Sequence, residues 1–494
     1  MTNSRTSSVG LVSAGRDPRQ VEVEGPLFVD LDGTLVASDL LWESAMLFVA
    51  KHPFESWRIL IWLTQGKARL KRQLAARCLP NPATLPYRRE VLEFIRAEAA
   101  RGRELVLATA GDRRIGEAVS KHFGFFRAVL ASDGKRNLSG VRKLNAILAH
   151  TGGGGFGYVG DAEVDLEVWA RASDSYIVSE SSRLLRAAER VCRPCRVFPD
   201  GQNKFISQVR ALRPNQWIKN LLLLVPLFAA HKMDDLTLLQ SALLATGLFS
   251  VCASAIYILN DLLDMEGDRM HPKKCNRPFA SGAVSIPRGI LLSGGLLAAA
   301  FATSITWLPS NFSALLGLYV VLTAAYSLFF KRRLLQDVFV LAGLYTLRLM
   351  AGGTATGVDL SPWLLAFALF FFLSLAYLKR YSELLQIADR NQRQISGRNY
   401  VAEDNALVGS VGPASGYLAV MVLCLYINSS AVVGYYSNPA VLWLLCPVFL
   451  YWITRMWFLA GRRTLLDDPV VFAATDGVSL LSGVASVFIV SAAI

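Results

Sequence analysis

Hydrophobic residues follow two different patterns along the chain. Up to about residue 205, short apolar runs alternate with charged segments, as in a soluble domain. Beyond that point come apolar stretches long enough, or nearly long enough, to cross a bilayer. They lie near residues 217–231, 238–260, 287–307, 311–330, 334–356, 362–380, 413–434, 440–455 and 476–494. The pattern predicts a disordered tail over residues 1–23, a soluble α/β domain over 24–200, and an all-helical, polytopic membrane domain of about nine transmembrane helices over 205–494.

The first part of the chain predicts a parallel, doubly wound sheet of Rossmann-like type. Four apolar runs, separated by helical stretches, are typical of buried strands: residues 26–29, 105–108, 156–159 and 176–178. Ligands of such sheets bind at the carboxyl ends of the strands, so the polar residues that follow each run are candidate site residues.

The distribution of charge predicts the orientation of the membrane domain. The chain is 53% hydrophobic with a net charge of +13. The loops after the second, fourth, sixth and eighth apolar stretches are rich in lysine and arginine, whereas the opposite loops contain only Lys232. Because cations collect on the cytoplasmic side, we expect an inner-membrane protein whose N-terminal domain and active sites are cytoplasmic. A nucleic-acid partner is not expected.

An acidic cluster lies where the second apolar stretch ends. On a helix, Asn260, Asp261, Asp264 and Asp268 share one face. Crowded carboxylates at a membrane boundary repel one another, and a divalent cation such as Mg²⁺, shared with a substrate phosphate, would relieve that repulsion. Lys274 and Arg277 follow, and cations of this kind bind the remaining phosphate oxygens. The alternative is a solvated acidic and basic loop.

The motif Asn-Asp-x-x-Asp-x-x-x-Asp, followed by Lys-x-x-Arg-Pro-x-x-Ser-Gly, resembles the first motif of UbiA-type intramembrane transferases. Within that superfamily, residues 213–220, 326–337 and 377–384 are similar to the polyprenyl-phosphate phosphoribosyltransferase branch. Lys379 and Glu383 stand where prenyl-diphosphate-using members carry a second Asp-x-x-x-Asp. This difference favours a lipid phosphate acceptor and a phosphoribosyl diphosphate donor over aromatic prenyl transfer, which remains the alternative.

The resemblance implies a role for each candidate residue of the membrane domain. Mg²⁺ on Asp261, Asp264 and Asp268 would neutralise the leaving diphosphate, with help from Lys274 and Arg277. Arg213 and Lys219 are candidates for the lipid phosphate. Arg348 either faces the cavity or pairs with Asp337. The further substrate-binding candidates are Asn260, Tyr326, Lys331 and Lys379.

Four of the six candidate residues of the soluble domain follow predicted strands, whereas Lys143 follows a basic patch and Asp165 lies one helical turn after Asp161. In chain order the six are Asp30, Asp32, Thr109, Lys143, Asp161 and Asp165. A nucleophilic carboxylate, an acid/base, a hydroxyl, an ammonium and metal-binding acids together suit phosphoryl transfer.

This set, led by Asp-Leu-Asp-Gly-Thr, resembles the haloacid dehalogenase superfamily over residues 24–190. The resemblance implies that Asp30 attacks phosphorus, Asp32 transfers protons, and Thr109 and Lys143 hold phosphoryl oxygens. It also implies that Asp30 and Asp161 bind Mg²⁺ with Asp165 in support. A degenerate regulatory domain is the alternative.

Together the two parts predict a transferase with a fused phosphatase. The expected partners are an isoprenoid lipid (polyprenyl phosphate above all), a phosphorylated small-molecule donor and membrane lipid. Transfer of phosphoribose leaves a 5-phosphate on the sugar, and the fused phosphatase would remove it at high effective concentration. A transporter or scaffold without turnover is the competing class, and an acidic cluster in each part argues against it.

Overall fold

A computed structural model describes residues 25–134, 136–199, 204–389, 398–429, 432, 436–465 and 468–494. The predicted N-terminal tail lies outside the described residues. The chain divides into two compact units. The first comprises the chain up to Leu41 with Ile59–Ala83 and Tyr87–Asp200; the second comprises Trp42–Arg58, Thr84–Pro86 and Gly201–Ile494.

The first unit contains a six-stranded parallel sheet in the order β3-β2-β1-β4-β5-β6. The strands are β1 (Leu27–Val29), β2 (Leu105–Asp112), β3 (Ala128–Ser132), β4 (Gly157–Gly160), β5 (Asp174–Val178) and β6 (Pro194–Phe198). The order reverses next to β1, where a doubly wound sheet binds its ligands. The sheet confirms the predicted α/β architecture.

Two strands at the sheet edges were not predicted. β6 begins at Pro194 and exposes three of its five residues, which suits an edge strand but gives no hydrophobic run. β3 has only one fully buried residue. Edge strands are covered on fewer sides, so their sequences carry a weaker apolar signal.

Helices up to residue 200 flank the strands along the chain. They are α1 (Leu40–Lys51), α2 (Arg58–Thr64), α3 (Lys67–Arg77), α4 (Arg89–Ala100), α5 (Arg113–Phe123), α6 (Val141–Thr151), α7 (Leu166–Trp169) and α8 (Ser182–Glu189). Phe28, Tyr158, Trp169 and Ile177 are fully buried in the core between sheet and helices.

Beyond residue 200 the regular secondary structure of the described residues is helical. The helices are α9 (Lys204–Ala211), α10 (Val225–Ala229), α11 (Leu236–Leu263), α12 (Met265–Arg269), α13 (Ile286–Trp307), α14 (Ser310–Leu328), α15 (Gln336–Thr356), α16 (Pro362–Asp389), α17 (Asn405–Ile427), α18 (Leu445–Gly461), α19 (Pro469–Ala473) and α20 (Gly477–Ala493). Large clusters of buried aliphatic and aromatic side chains join α11, α14, α15, α16, α17 and α18.

Seven of the described helices are long and apolar enough to cross a membrane. With their flanking turns they are Leu236–Leu263, Ile286–Trp307, Ser310–Arg332, Gln336–Thr356, Pro362–Asp389, Ala402–Ile427 and Pro439–Gly461. The prediction of nine spans is therefore not confirmed. The first predicted span folds as a 3-10 helix, Pro214–Leu224, followed by the five residues of α10, with Pro226 near the junction. The last is the 17-residue helix α20.

Candidate active sites

The carboxyl ends of β1 and β4 bring three of the predicted acids together. Asp30 directly follows β1, and its backbone N–H donates to Val159 O in β4 at 3.0 Å. Asp161 directly follows β4, and Asp165 lies one turn further along the chain. One carboxylate oxygen from each of these three acids lies within 4.8 Å of the other two. The sheet thus assembles a cluster able to hold a metal ion.

Lys143 and Tyr158 form ion pairs and hydrogen bonds with the acids of this cluster. The Lys143 ammonium lies 3.2 Å from Asp30 Oδ2 and 3.2 Å from Asp165 Oδ1, and it donates to the Tyr158 hydroxyl at 2.7 Å. That hydroxyl donates to Asp165 Oδ1 at 2.7 Å, while Asp165 Oδ2 accepts the backbone N–H groups of Asp161 and Ala162. Asp165 is therefore a carboxylate that orients its neighbours. The sequence analysis did not predict Tyr158 as a site residue. The one sign of its role in the sequence was a hydroxyl group within a buried strand.

Asp32, in the turn that follows β1, faces Thr109 in the neighbouring strand β2. Thr109 Oγ1 donates to Asp32 Oδ2 at 3.3 Å and accepts the Gly111 N–H at 2.8 Å. The Leu40 N–H, at the start of α1, donates to Asp32 Oδ1 at 2.8 Å. Strand β2 continues past Thr109 to Asp112, so this threonine lies within the strand rather than at its end. All six predicted residues of the soluble site share one edge of the sheet.

Burial and like charges shape the electrostatics of this site. Burial, followed by the charges of Asp30 and Asp165, raises the pKa of Asp161 to about 8. Burial also raises the pKa of Asp30 to about 6, although Lys143 opposes the shift. Burial and the charge of Asp39 raise the pKa of Asp32 to about 7. Three ionised carboxylates and the one ammonium of Lys143 would carry a charge of −2, which a divalent cation neutralises. The cluster therefore fits Mg²⁺.

In the second unit, the acidic motif interrupts its helix. Helix α11 ends at Leu263, Asp264 has φ −100° and ψ 7°, and α12 carries Asp268. Asn260, Asp264 and Asp268 nevertheless remain in register, because the Asp264 N–H donates to Asn260 O at 3.0 Å and the Asp268 N–H to Asp264 O at 2.9 Å. The three aspartates are thus presented by a helix end and a turn rather than by one continuous helix.

Each of these aspartates has a cationic partner. The Arg277 guanidinium lies 3.2 Å from Asp261 Oδ1 and 2.6 Å from Asp268 Oδ2, so it bridges the two acids. Arg213 also donates to Asp261 Oδ1. Lys331 Nζ lies 2.6 Å from Asp264 Oδ2. Arg213, predicted to bind the lipid phosphate, is therefore placed on the acidic motif.

The acidic motif also keeps one unsatisfied acceptor. Asp261 Oδ2 is buried and accepts no hydrogen bond from the described residues. Such an orphaned carboxylate oxygen suits a cation ligand. Three acids against Arg213, Arg277 and Lys331 leave no net charge, and among the described residues only the cluster at Asp30 brings three acidic ligand atoms within 4.8 Å of one another. A metal ion at this motif would therefore have to bind together with an anionic ligand.

A second cationic cluster, the lysine pair, consists of Lys219 and Lys379 around one carboxylate. Asp468 Oδ2 accepts from Lys219 Nζ at 2.7 Å and from Lys379 Nζ at 2.9 Å. Burial alone would raise the pKa of Asp468, but Lys379 and Lys219 hold it well below its usual range. Asp468 was missed by sequence reasoning. Its one signal was an acid directly before Pro469, a helix-start pattern on the predicted cytoplasmic side.

Lys379 and Glu383 belong to different clusters despite their spacing. Arg380 donates to Glu383, and its Nε lies 2.6 Å from Asp337 Oδ2, with both side chains fully buried. The Tyr326 hydroxyl accepts from Arg380 at 3.4 Å and from Arg398 at 3.2 Å. Tyr326 is therefore joined to this buried network, while Lys379 turns to Asp468.

Arg348 does not pair with Asp337. Its guanidinium donates to Asn220 Oδ1 at 3.0 Å, to Leu344 O at 2.7 Å and to the Tyr319 hydroxyl at 3.3 Å. Arg348 also lies 5.3 Å from the ring centroid of Tyr345, whose ring is 5.9 Å from Lys219 Nζ. Among the described residues it forms no ion pair, so Arg348 is a buried cation with neutral and aromatic neighbours near the lysine pair.

Comparison with known proteins identifies both parts of the chain. Residues 221–481 match the UbiA prenyltransferase family, and residues 27–168 match the haloacid dehalogenase-like hydrolases. The chain is 35% identical to the uncharacterized protein y4nM of Sinorhizobium fredii, over 94% of this chain and 91% of that protein. It is 37% identical to the nodulation protein NoeC of Azorhizobium caulinodans, over 56% and 90%.

A third relative is named for its reaction. The decaprenyl-phosphate phosphoribosyltransferase of Mycolicibacterium smegmatis is 36% identical over 38% of this chain and 59% of that protein, so the match spans less than two thirds of its length. With seven apolar helices, the chain is an integral membrane protein. It belongs to the UbiA prenyltransferase family and carries a haloacid dehalogenase-like domain in its N-terminal part.

Proposed function

We propose that the membrane unit transfers phosphoribose from phosphoribosyl diphosphate to a polyprenyl phosphate, and that the N-terminal unit then removes the 5-phosphate. The lysine pair is the observation that carries the proposal. Family members that use a prenyl diphosphate carry a second pair of acids to hold a second metal, and Lys379 stands at one of those two positions. Lys219 contributes a second ammonium around the same carboxylate, Asp468. Two ammonium groups suit the direct binding of a phosphate monoester. The partial match to a decaprenyl-phosphate phosphoribosyltransferase supports the same substrates.

The donor would bind at the acidic motif. Asp261, Asp264 and Asp268 would hold Mg²⁺, which when bound offsets the charge of the leaving diphosphate. Arg277 bridges two of these acids, and its guanidinium has further N–H groups for diphosphate oxygens. Lys274, exposed on the following turn, is close enough to Asp268 for their charges to interact, and it supplies a second cation.

The acceptor needs no general base. A polyprenyl phosphate is already an anion, so one of its oxygens attacks C1 of the ribose while the bond from C1 to the diphosphate breaks. Lys219 and Lys379 hold the other phosphate oxygens and orient the attack. Arg348, which pairs with no acid among the described residues, adds a positive charge nearby. Arg213, Asn260, Tyr326 and Lys331 complete the predicted set of substrate-binding residues.

The phosphatase step would follow at the sheet edge. Asp30 attacks the phosphorus of the 5-phosphate, and Asp32 gives its proton to the leaving 5-hydroxyl. Asp32 then takes a proton from the water that hydrolyses the aspartyl-phosphate, releasing inorganic phosphate. Thr109 and Lys143 hold phosphoryl oxygens, and Asp161 with Asp30 would hold Mg²⁺. We place both sites on the cytoplasmic side of the inner membrane, where the basic loops are expected.

The transfer step is tested with purified full-length protein in detergent, Mg²⁺, polyprenyl phosphate and ribose-labelled phosphoribosyl diphosphate. We expect label in the organic phase with the wild-type protein and with Lys232→Met, a cation outside both sites. Asp261→Asn should give at least a hundredfold less. If the wild type labels the lipid only when a prenyl diphosphate and an aromatic acceptor replace these substrates, the phosphoribosyl proposal is wrong and aromatic prenyl transfer takes its place.

A further inference from the structure

Two cysteines of neighbouring membrane helices face each other. Cys424 Sγ in α17 lies 3.3 Å from Cys446 Sγ in α18, and both residues are partly buried. A disulfide requires the two sulfurs to approach to about 2.05 Å. The two sulfurs are therefore about 1.2 Å farther apart than in a disulfide, and rotation of the two side chains about their Cα–Cβ bonds is the motion that would bring them together.

Both thiols lie toward the ends at which residues 428–444 connect α17 to α18. Cys424 stands three residues before the end of α17, and Cys446 is the second residue of α18. The opposite ends of these helices carry the cations: Arg398 precedes α17, while Arg462 and Arg463 follow α18. By the distribution of positive charge, the cysteine end faces away from the cytoplasm. That compartment is oxidising in bacteria, and disulfides persist there.

We propose that Cys424 and Cys446 form a disulfide that ties α17 to α18 toward their extracytoplasmic ends. The oxidant is a disulfide-carrying thiol oxidase of that compartment. One cysteine thiolate attacks the oxidant's disulfide and releases one thiol; the second cysteine then displaces the other thiol. Two protons and two electrons pass to the oxidant, which becomes a dithiol. The proposal does not depend on the proposed function.

The pair also has a structural context that a cross-link would strengthen. Helix α17 packs tightly against both α16 and α18: Gly412 lies against Trp457, and the Ser374 hydroxyl donates to Gly412 O at 2.7 Å. Helix α16 also carries Lys379, ten residues before its end at Asp389. A cross-link near the far end of α17 would fix the helix that supports α16, without adding a group to either active site.

The test determines which cysteines of the full-length protein are free thiols and which are linked in a disulfide. Cells of a bacterial host with an oxidising periplasm are treated with N-ethylmaleimide before lysis. The protein is then digested with chymotrypsin, since residues 399–454 contain no lysine or arginine for trypsin. We expect a linked pair of peptides that is two hydrogen masses lighter than their sum and that separates on reduction. Cys252→Ser, the matched control, should retain the linked pair. Cys424→Ser should leave Cys446 alkylated.

Two results would overturn the proposal, and they are distinguishable. Wild-type protein in which both Cys424 and Cys446 are alkylated shows that the pair stays reduced. Membrane-impermeant maleimide applied to intact cells separately tests the orientation. Lys232→Cys should be labelled and Arg332→Cys protected. The reverse pattern would place the pair in the reducing cytoplasm and remove the reason for its oxidation.

Discussion

Lys379→Met is the most informative perturbation of the membrane site. Lys379 Nζ donates to Asp468 Oδ2 at 2.9 Å, and its side chain retains 32% of its exposure. Methionine matches the length of the lysine stem but carries no charge. Asp468 keeps Lys219 as a partner at 2.7 Å, so the substitution leaves no buried carboxylate unpaired. The variant should therefore fold, and its kinetics should report on substrate binding.

The expected magnitude follows from the bond that is lost. A hydrogen bond to a charged group contributes about 1.5–3 kcal/mol. Since 1.4 kcal/mol corresponds to a factor of about ten, the KM for polyprenyl phosphate should rise roughly 10- to 150-fold. The KM for phosphoribosyl diphosphate should stay within about twofold. The ion pair is partly exposed, so the free energy of unfolding should fall by no more than about 1 kcal/mol.

The assay measures labelled lipid at varied concentrations of each substrate. Lys379→Arg, which keeps the charge, should recover most of the affinity, and Lys232→Met should behave as the wild type. A Lys379→Met variant whose KM rises for the donor but not for the lipid would refute the assignment of this lysine to the acceptor phosphate.

Three further predictions concern geometry, burial and charge. Gly33→Ala should abolish phosphate release, because the new Cβ would meet Asp161 Oδ2 at 2.1 Å and φ is +78°; an active variant would contradict this. Arg380→Met should lower the free energy of unfolding by about 3 kcal/mol, since buried Asp337 loses its nearest cation and keeps only Arg398 at 3.4 Å and the Tyr400 hydroxyl at 2.7 Å among the described residues. In thermal unfolding, exposed Arg89→Met should stay within about 0.5 kcal/mol of the wild type. Mn²⁺ titration followed by electron paramagnetic resonance should show one metal site in the absence of substrate, and Asp161→Asn should abolish it. A second metal site should appear only when diphosphate is added, and Asp261→Asn should abolish that one.

The soluble site could be predicted from the sequence because a parallel sheet converts chain order into position. Polar residues after successive buried strands must meet at one edge, and Asp30, Asp161 and Asp165 do so. The strand pattern could not show which side chains hold these acids in place. In the hydrophobic pattern Tyr158 is one more residue of a buried strand, because the pattern does not tell on which side of the strand the Tyr158 side chain lies.

The membrane site was harder, since its contacts join distant parts of the chain. Lys219 and Asp468 are 249 residues apart, and only the packing of the helices brings them together. By contrast, the spacing along one helix is enough to exclude the pairing of Arg348 with Asp337. Both residues lie in α15, where eleven residues at about 1.5 Å each separate them by roughly 16 Å.

The hydrophobic pattern also could not predict the break in the helix at Asp264 or the short helices that replace the first predicted span. Periodicity over residues 260–268 is compatible with one continuous helix, and the structure places a helix end at Leu263. Residues 217–231 have enough apolar side chains for a span, but Pro214 and Pro226 give a 3-10 helix and a short α-helix instead. Backbone geometry, rather than hydrophobicity, determines both features.

The order of the two reactions is the central claim, and the lipid product tests it most directly. Wild-type protein and Asp30→Asn would be incubated with Mg²⁺, polyprenyl phosphate and phosphoribosyl diphosphate, and the lipid extracts compared by mass spectrometry. We predict polyprenyl-phosphoryl ribose from the wild type and a product heavier by one HPO₃ unit from Asp30→Asn. The same lipid from both proteins would contradict the account, since the N-terminal unit would then play no part in processing the transferase product.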